Sequence, residues 1–170
     1  SKWWIIGAAG VILLAVVLRI VFNPAIHYSK GEKLFDSGKF SAAAEQFSAA
    51  GDYKDAASKA KRATAAQSYA DGEAKFNAGD YTAASALFTA AAGYEDAAER
   101  VRQSQLGVHY KAAETAFANG DYPSAISEFE QAENFQDAAE QVLASTYALA
   151  DENEKKEEYA KAIEEFDSIG

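Results

Sequence analysis

Asp55, Asp96 and Asp137 recur at one constant interval. A file of carboxylates at fixed spacing is one way to hold a cation. A metal site, however, needs several ligands converging on one point, and a ladder supplies one per step. The phrases that carry these aspartates point to helix initiation instead. They read GDYKDAASKA from Gly51, AGYEDAAERV from Ala92 and ENFQDAAEQV from Glu133. Asp52 or Asn134 can act as N-cap, which places Asp55 or Asp137 at the third helical position, a variant of the capping box. In the middle copy Gly93 takes the cap place before Asp96. Aspartates so placed also complement the positive end of the helix dipole. Asp55, Asp96 and Asp137 are therefore assigned a helix-capping, structural role.

The remaining reactive side chains give no catalytic constellation. His27 and His109 lack a second His or Cys partner, and the chain has no cysteine, which excludes disulfides and thiolate metal sites. The glycines match neither a phosphate loop nor a dinucleotide fingerprint. Asp151, Glu152, Glu154, Glu157 and Glu158 form a dense acidic cluster, but Lys155 and Lys156 interrupt it and the spacing is that of a solvated helix face. A non-enzymatic protein without cofactor or metal is expected. Tyr28, Tyr69, Tyr110 and Tyr147 occupy equivalent places in successive copies, and recurrence in every copy favours packing. Positions read as varying between copies, Glu73 and Asn77 in one and Glu114 and Ala118 in the next, are better binding candidates. The candidate partner-binding set is Tyr69, Glu73, Asn77, Tyr110 and Glu114.

These residues are positioned by an internal repeat. Gly38, Gly79 and Gly120 keep the interval of the aspartates, as do Phe40, Tyr81 and Tyr122, and Phe35, Phe76 and Phe117. Ala43, Ala84 and Ala125 follow it, then Phe47, Phe88 and Phe129. So many columns in one register define a solenoid-forming repeat. A fourth copy, with Tyr147, Tyr159, Ala162 and Phe166, fits at a shorter interval and carries Glu157 and Glu154 where the Gly and Phe would stand. Within each copy, Ala43, Phe47 and Ala50 share one face of a short helix. A longer helix, from about Tyr53 to Ala78, follows. The units are expected at about 24–64, 65–105 and 106–146, with a shortened, truncated 147–170.

At GEAKFNAGDYTAASALFTAA, from Gly72 to Ala91, the sequence resembles a tetratricopeptide repeat, through Gly72, Gly79, Tyr81, Ala84, Phe88 and Ala91. Gly31, Gly38, Phe40, Ala43, Phe47 and Ala50 carry the same resemblance. The interval exceeds that family's usual length, and GDYKDAA stands where a proline is usual. The likeness is to tetratricopeptide-like repeats of bacterial membrane-anchored proteins that close each unit with a GDYxDA phrase. It implies stacked helix pairs whose first helices line a groove for peptides or proteins.

Ahead of the repeats, WWIIGAAGVILLAVVLRIVF runs from Trp3 to Phe22 with Arg19 as its one charge. As a helix it would be about 30 Å long, the thickness of a bilayer core. Trp3 and Trp4 suit one interface, Arg19 lies near the other end, and Gly7 to Gly10 form a small-residue patch. The fold class expected is all-α: a transmembrane helix over residues 1–23, contacting membrane lipid through 3–22, followed by a tetratricopeptide-like α-solenoid over 24–170. The expected location is the cell membrane, single-pass; the resemblance implies that the repeats lie outside the cytoplasm, whereas Lys2 before the span against Arg19, Lys30 and Lys33 after it counts the other way. The net charge of -10 argues against a nucleic-acid partner. The function expected is a membrane-tethered, non-catalytic interaction scaffold for a protein or peptide. The alternatives are a structural subunit of a membrane complex or self-assembling array, and a receptor for cell wall or carbohydrate.

Overall fold

A computed structural model describes residues 23–169. Among them are seven α-helices: α1 (Pro24–Asp36), α2 (Phe40–Ala49), α3 (Ala56–Asn77), α4 (Tyr81–Ala90), α5 (Ala97–Ala118), α6 (Tyr122–Gln131) and α7 (Ala138–Ile169). Alanine, which loses no side-chain entropy in a helix, supplies much of the propensity. The repeat interval returns in the starts of α2, α4 and α6 at Phe40, Tyr81 and Tyr122.

The helix boundaries follow from a few residues. Asn23 caps α1 by accepting from the Ala25 amide at 3.0 Å, with Pro24 in the first turn, where its missing N–H leaves no bond unmade. α1, α3 and α5 end in the same way. Gly38, Gly79 and Gly120 adopt φ of 74°, 75° and 76°. The residue after each then donates back to Leu34, Lys75 or Ala116, at 2.9, 3.0 and 2.9 Å. That reverse bond is a Schellman closure, and it requires a left-handed residue, which glycine supplies without a Cβ clash.

Contacts cluster into two compact units: the residues up to Asp71 together with Ala90–Glu95, and Gly72–Thr89 together with the residues from Asp96 onward. In the first, α1 packs on α2 around Tyr28, Ala43, Phe47, Ala50, Ala56 and Ala63. In the second, α5 packs on α6 and α6 on α7 around Tyr110, Ala113, Ala125, Phe129, Ala132 and Ala138. Tyr28, Ala43, Phe47, Ala50 and Ala56 recur two copies later as Tyr110, Ala125, Phe129, Ala132 and Ala138. Both cores are thus built from the same columns. Alanine brings the backbones close, and one fully buried Phe fills what remains.

Three expectations are corrected here. α3 starts at Ala56 rather than near Tyr53, because Lys54 is held at φ 52°, outside helical space. Residues 147–169 do not form a helix pair; they continue α7, a single helix of 32 residues. The physical reason is Glu157. With no glycine to turn left-handed, the chain carries on. The third concerns the membrane. No helix among the described residues is long and apolar enough to cross one, and the longest, α7, is densely charged from Asp151 to Asp167. On that ground an opening transmembrane helix is removed from the fold class, and a single-pass membrane location is withdrawn with it. Trp3, Trp4, Gly7, Gly10 and Arg19, assigned to that anchor, lie outside the described residues.

Candidate partner-binding surface

The repeated aspartates stand immediately before α3, α5 and α7, at the N-cap rather than three residues inside. Their backbone carbonyls accept the first helical bonds, from Lys59, Arg100 and Gln141 at 2.9, 3.0 and 3.0 Å. Their side chains do something else. Asp96 makes no side-chain capping bond. Asp55 accepts from the Tyr28 hydroxyl at 2.5 Å, and Asp137 accepts from that of Tyr110. The capping box is therefore replaced by a tie from the aspartate of the first and third copies back to a tyrosine on the preceding long helix. The hydroxyl bond holds both carboxyls below the usual aspartate range. It pushes the Tyr110 phenol up to about 12, with burial adding to the effect.

Tyr28 and Tyr110 are also locked by rings. Tyr28 meets Phe47 and Tyr53 at centroid distances of 5.7 and 5.6 Å, and Tyr110 meets Phe129 and Phe135 at 5.4 and 5.8 Å. With 6% of its surface exposed, Tyr110 is core and is removed from the partner-binding set. Tyr69 is half-buried, with its ring 5.6 Å from Tyr94.

Glu73 and Glu114 prove not to be varying positions. With Glu32 they form an unbroken column at the repeat interval, a signal present in the sequence. Their partners are what differ. Glu32 pairs with Lys59 at 2.5 Å, and Glu73 grips Arg100 through Nε at 2.5 Å and Nη2 at 2.8 Å. In the third copy Gln141 stands where the cation would be, and Glu114 turns to Lys111 at 2.8 Å on its own helix. The cations double as lids over rings. Arg100 lies 4.1 Å from the Phe76 centroid and Lys59 4.7 Å from that of Tyr28. The bond to Glu32 raises the Lys59 pKa above the usual lysine value. Asn77 is exposed at the end of α3.

The histidines repeat a motif as well. His27 Nδ1 meets the side-chain carbonyl of Gln46 at 2.9 Å, and two copies later His109 Nδ1 meets Glu128 at 2.8 Å. A shallow groove of about 550 Å³ beside His109, lined by Thr82, Ser85 and Thr89 of α4 and Gln105 and Val108 of α5, is a weaker candidate surface.

One groove differs in kind from this packing. In the first unit a cavity of about 570 Å³ opens between α1, which contributes Ser29, Glu32, Lys33, Phe35 and Asp36, and α3, which contributes Lys59 and Arg62. Phe47 of α2 closes its floor. Lys33 and Arg62 are exposed and pair with no carboxylate among the described residues, although Arg62 lies 5.6 Å over the Phe35 ring. In the second and third copies the column of Lys33 holds Ala74 and Thr115, and that of Arg62 holds Gln103 and Ala144. Residues 23–62 carry seven basic against five acidic side chains, whereas residues 63–170 carry seven against twenty-one. An acidic chain has thus gathered half of these cations into its first copy, and two unpaired ones flank a single aromatic groove.

Compared with protein-family models, with characterised proteins and with solved structures, the chain matches none.

Proposed function

We propose that this chain is a non-catalytic interaction scaffold, a tetratricopeptide-like array of helix pairs whose first-unit groove is the contact surface for a protein or peptide partner. The observation that carries the reading is the pair Lys33 and Arg62. They are two exposed cations without carboxylate partners beside half-buried aromatic surface. Beyond the first copy, by contrast, six of the seven cations, Lys75, Arg100, Arg102, Lys111, Lys155 and Lys156, answer a neighbouring acid, Lys161 being the exception among the described residues. The groove offers an aromatic anchor for burial energy and charge for orientation and on-rate. The remaining chemistry supports a structural use of the repeat columns, since the glutamates, tyrosines and aspartates tie helices to one another.

The test is fluorescence anisotropy with a labelled peptide carrying two glutamates and one aromatic residue, against the same peptide with glutamine for glutamate. The full chain should bind the acidic peptide better, and Lys33→Glu with Arg62→Glu should remove the difference. Equal binding of both peptides, unchanged in the variant, would refute the assignment of this groove.

A further inference from the structure

α7 carries exposed apolar side chains. Leu143 and Tyr147 are 62% and 77% exposed. Tyr147 stands in the column whose earlier members Tyr28 and Tyr110 are sealed under phenylalanines and tied to an aspartate. In the fourth copy α7 runs on as one helix, and Tyr147 stands exposed on it. At 100° per residue, Leu143, Tyr147, Glu154 and Glu158 fall within about 60° of one another around the helix axis. One stripe therefore presents two apolar side chains followed, a few turns on, by two carboxylates. Glu154 and Glu158 are exposed, and neither forms an ion pair with another described residue. Their neighbours Asp151 and Glu152 are taken up by Lys155 and Lys156 at 2.7 and 2.8 Å.

These two kinds of feature complement those of the first-unit groove, where half-buried Phe35 is accompanied by unpaired Lys33 and Arg62, with Asp36 as the one exposed acid in the lining. We infer that the occupant of the groove is a second copy of this chain: the Leu143–Glu158 stripe of one copy seats against α1 and α3 of the next. The inference rests on the reading of that groove as the contact surface. Donor and acceptor lie on different surfaces of each chain, so the contact is head-to-tail and each added copy leaves a free groove and a free stripe. Association of this kind grows into open chains unless its rotation closes a ring. The carboxylates and cations set the register, and Tyr147 and Leu143 supply the apolar burial.

The experiment mixes donor- and acceptor-labelled intact chains, held in mild detergent because of the apolar stretch Trp3–Phe22, and reads energy transfer against concentration and salt. Transfer should rise with protein concentration and fall between low and high salt, because exposed charges are screened. Tyr147→Ser, at a highly exposed position, should reduce it without lowering helicity. Lys33→Glu with Arg62→Glu should abolish it, and so should Glu154→Lys with Glu158→Lys. Mixing those two charge-reversed chains should restore it, since each then meets its complement. Transfer that is absent in the wild type, unchanged by the reversals, or not restored by mixing would overturn the inference. If self-association fails while the acidic peptide still binds, only the identity of the occupant is wrong. If both fail, the groove assignment falls too.

Discussion

Gly72 sits inside α3, where alanine would ordinarily be the better helix former. A Cβ built on it would lie 2.8 Å from Phe88 Cε1, 2.9 Å from Cδ1 and 3.1 Å from Cζ. Ordinary contact begins near 3.4 Å, so the ring must retreat by about 0.6 Å. It has nowhere to go. Phe88 is completely buried, and the Arg100 guanidinium lies 5.2 Å from its centroid. Overpacking of this sort costs about 1–3 kcal/mol, against a propensity gain of about 1 kcal/mol for Gly→Ala in a helix. Gly72→Ala should therefore lose about 1–2 kcal/mol net in urea denaturation followed by far-ultraviolet circular dichroism. The double variant Gly72→Ala with Phe88→Leu isolates the cause. Leucine gives back the space, so the two losses should fall short of additive by about 1 kcal/mol. The third copy holds Ala113 in the same column, in one core with Phe129, so a methyl is accommodated in at least one repeat. If Gly72→Ala stabilises by about the propensity term, or if the double variant is additive, the close approach of ring to backbone is not what fixes glycine here.

Gly79 and Glu95 test backbone strain with opposite signs. Gly79, at φ 75°, should lose about 1 kcal/mol or more on becoming alanine. Glu95, a non-glycine held at φ 44°, should gain about 0.5–1 kcal/mol on becoming glycine, read by the same urea midpoints. The Tyr110–Asp137 tie predicts linkage at both ends of the pH scale. The phenol is raised in the fold, so its contribution is intact below the ordinary tyrosine value and is lost as pH climbs towards about 12. The Asp137 carboxyl is lowered, so its contribution is present above the ordinary aspartate value and is lost as pH falls through the folded one. Tyrosinate absorbance should show one phenol ionising late, and Asp137→Asn should bring it back towards the ordinary range; unchanged titration in that variant would remove the tie.

The repeat is legible in the sequence because each column is set by local physics. A left-handed closure demands Gly38, Gly79 and Gly120, and close backbone approach demands alanine at Ala43, Ala84 and Ala125. The helix pairs therefore follow from spacing alone. The partners of the charged residues do not follow, since a side chain on another helix is invisible to a helical-face argument. Asp55 and Asp137 look like caps because capping is the local use of an aspartate at a helix start. Tyr28 and Tyr110, which compete for the same carboxyls, are brought there by the tertiary fold. The column Glu32, Glu73, Glu114 becomes readable once the register is extended to polar positions. Comparing Lys33 and Arg62 with their counterparts in the other copies likewise exposes the groove. The segment from Trp3 to Phe22 has the length and apolarity of a span as a string of letters and lies outside the described residues, none of whose helices combines the two.

The fourth copy shows how little separates a helix pair from a rod. Its register against the third places Lys156, Glu157 and Glu158 where Asn119, Gly120 and Asp121 make the turn. Each α-helical residue adds about 1.5 Å, so the path from Thr146 to Asp167 spans about 31 Å in an unbroken helix. A hairpin over the same residues would bring the two ends to within about 10 Å, the usual spacing of packed helices. The chain has no cysteine, so Thr146→Cys with Asp167→Cys admits a pair of spin labels cleanly. In the parent the distance distribution should centre near the longer value. Adding Lys156→Asn, Glu157→Gly and Glu158→Asp supplies the left-handed residue and a capping aspartate, and should populate a short-distance component. The same change interrupts the stripe that ends at Glu158, so self-association should weaken as the short component appears. A distribution unmoved by the three substitutions would mean that the turn is dictated by the packing of neighbouring helices and not by its own glycine.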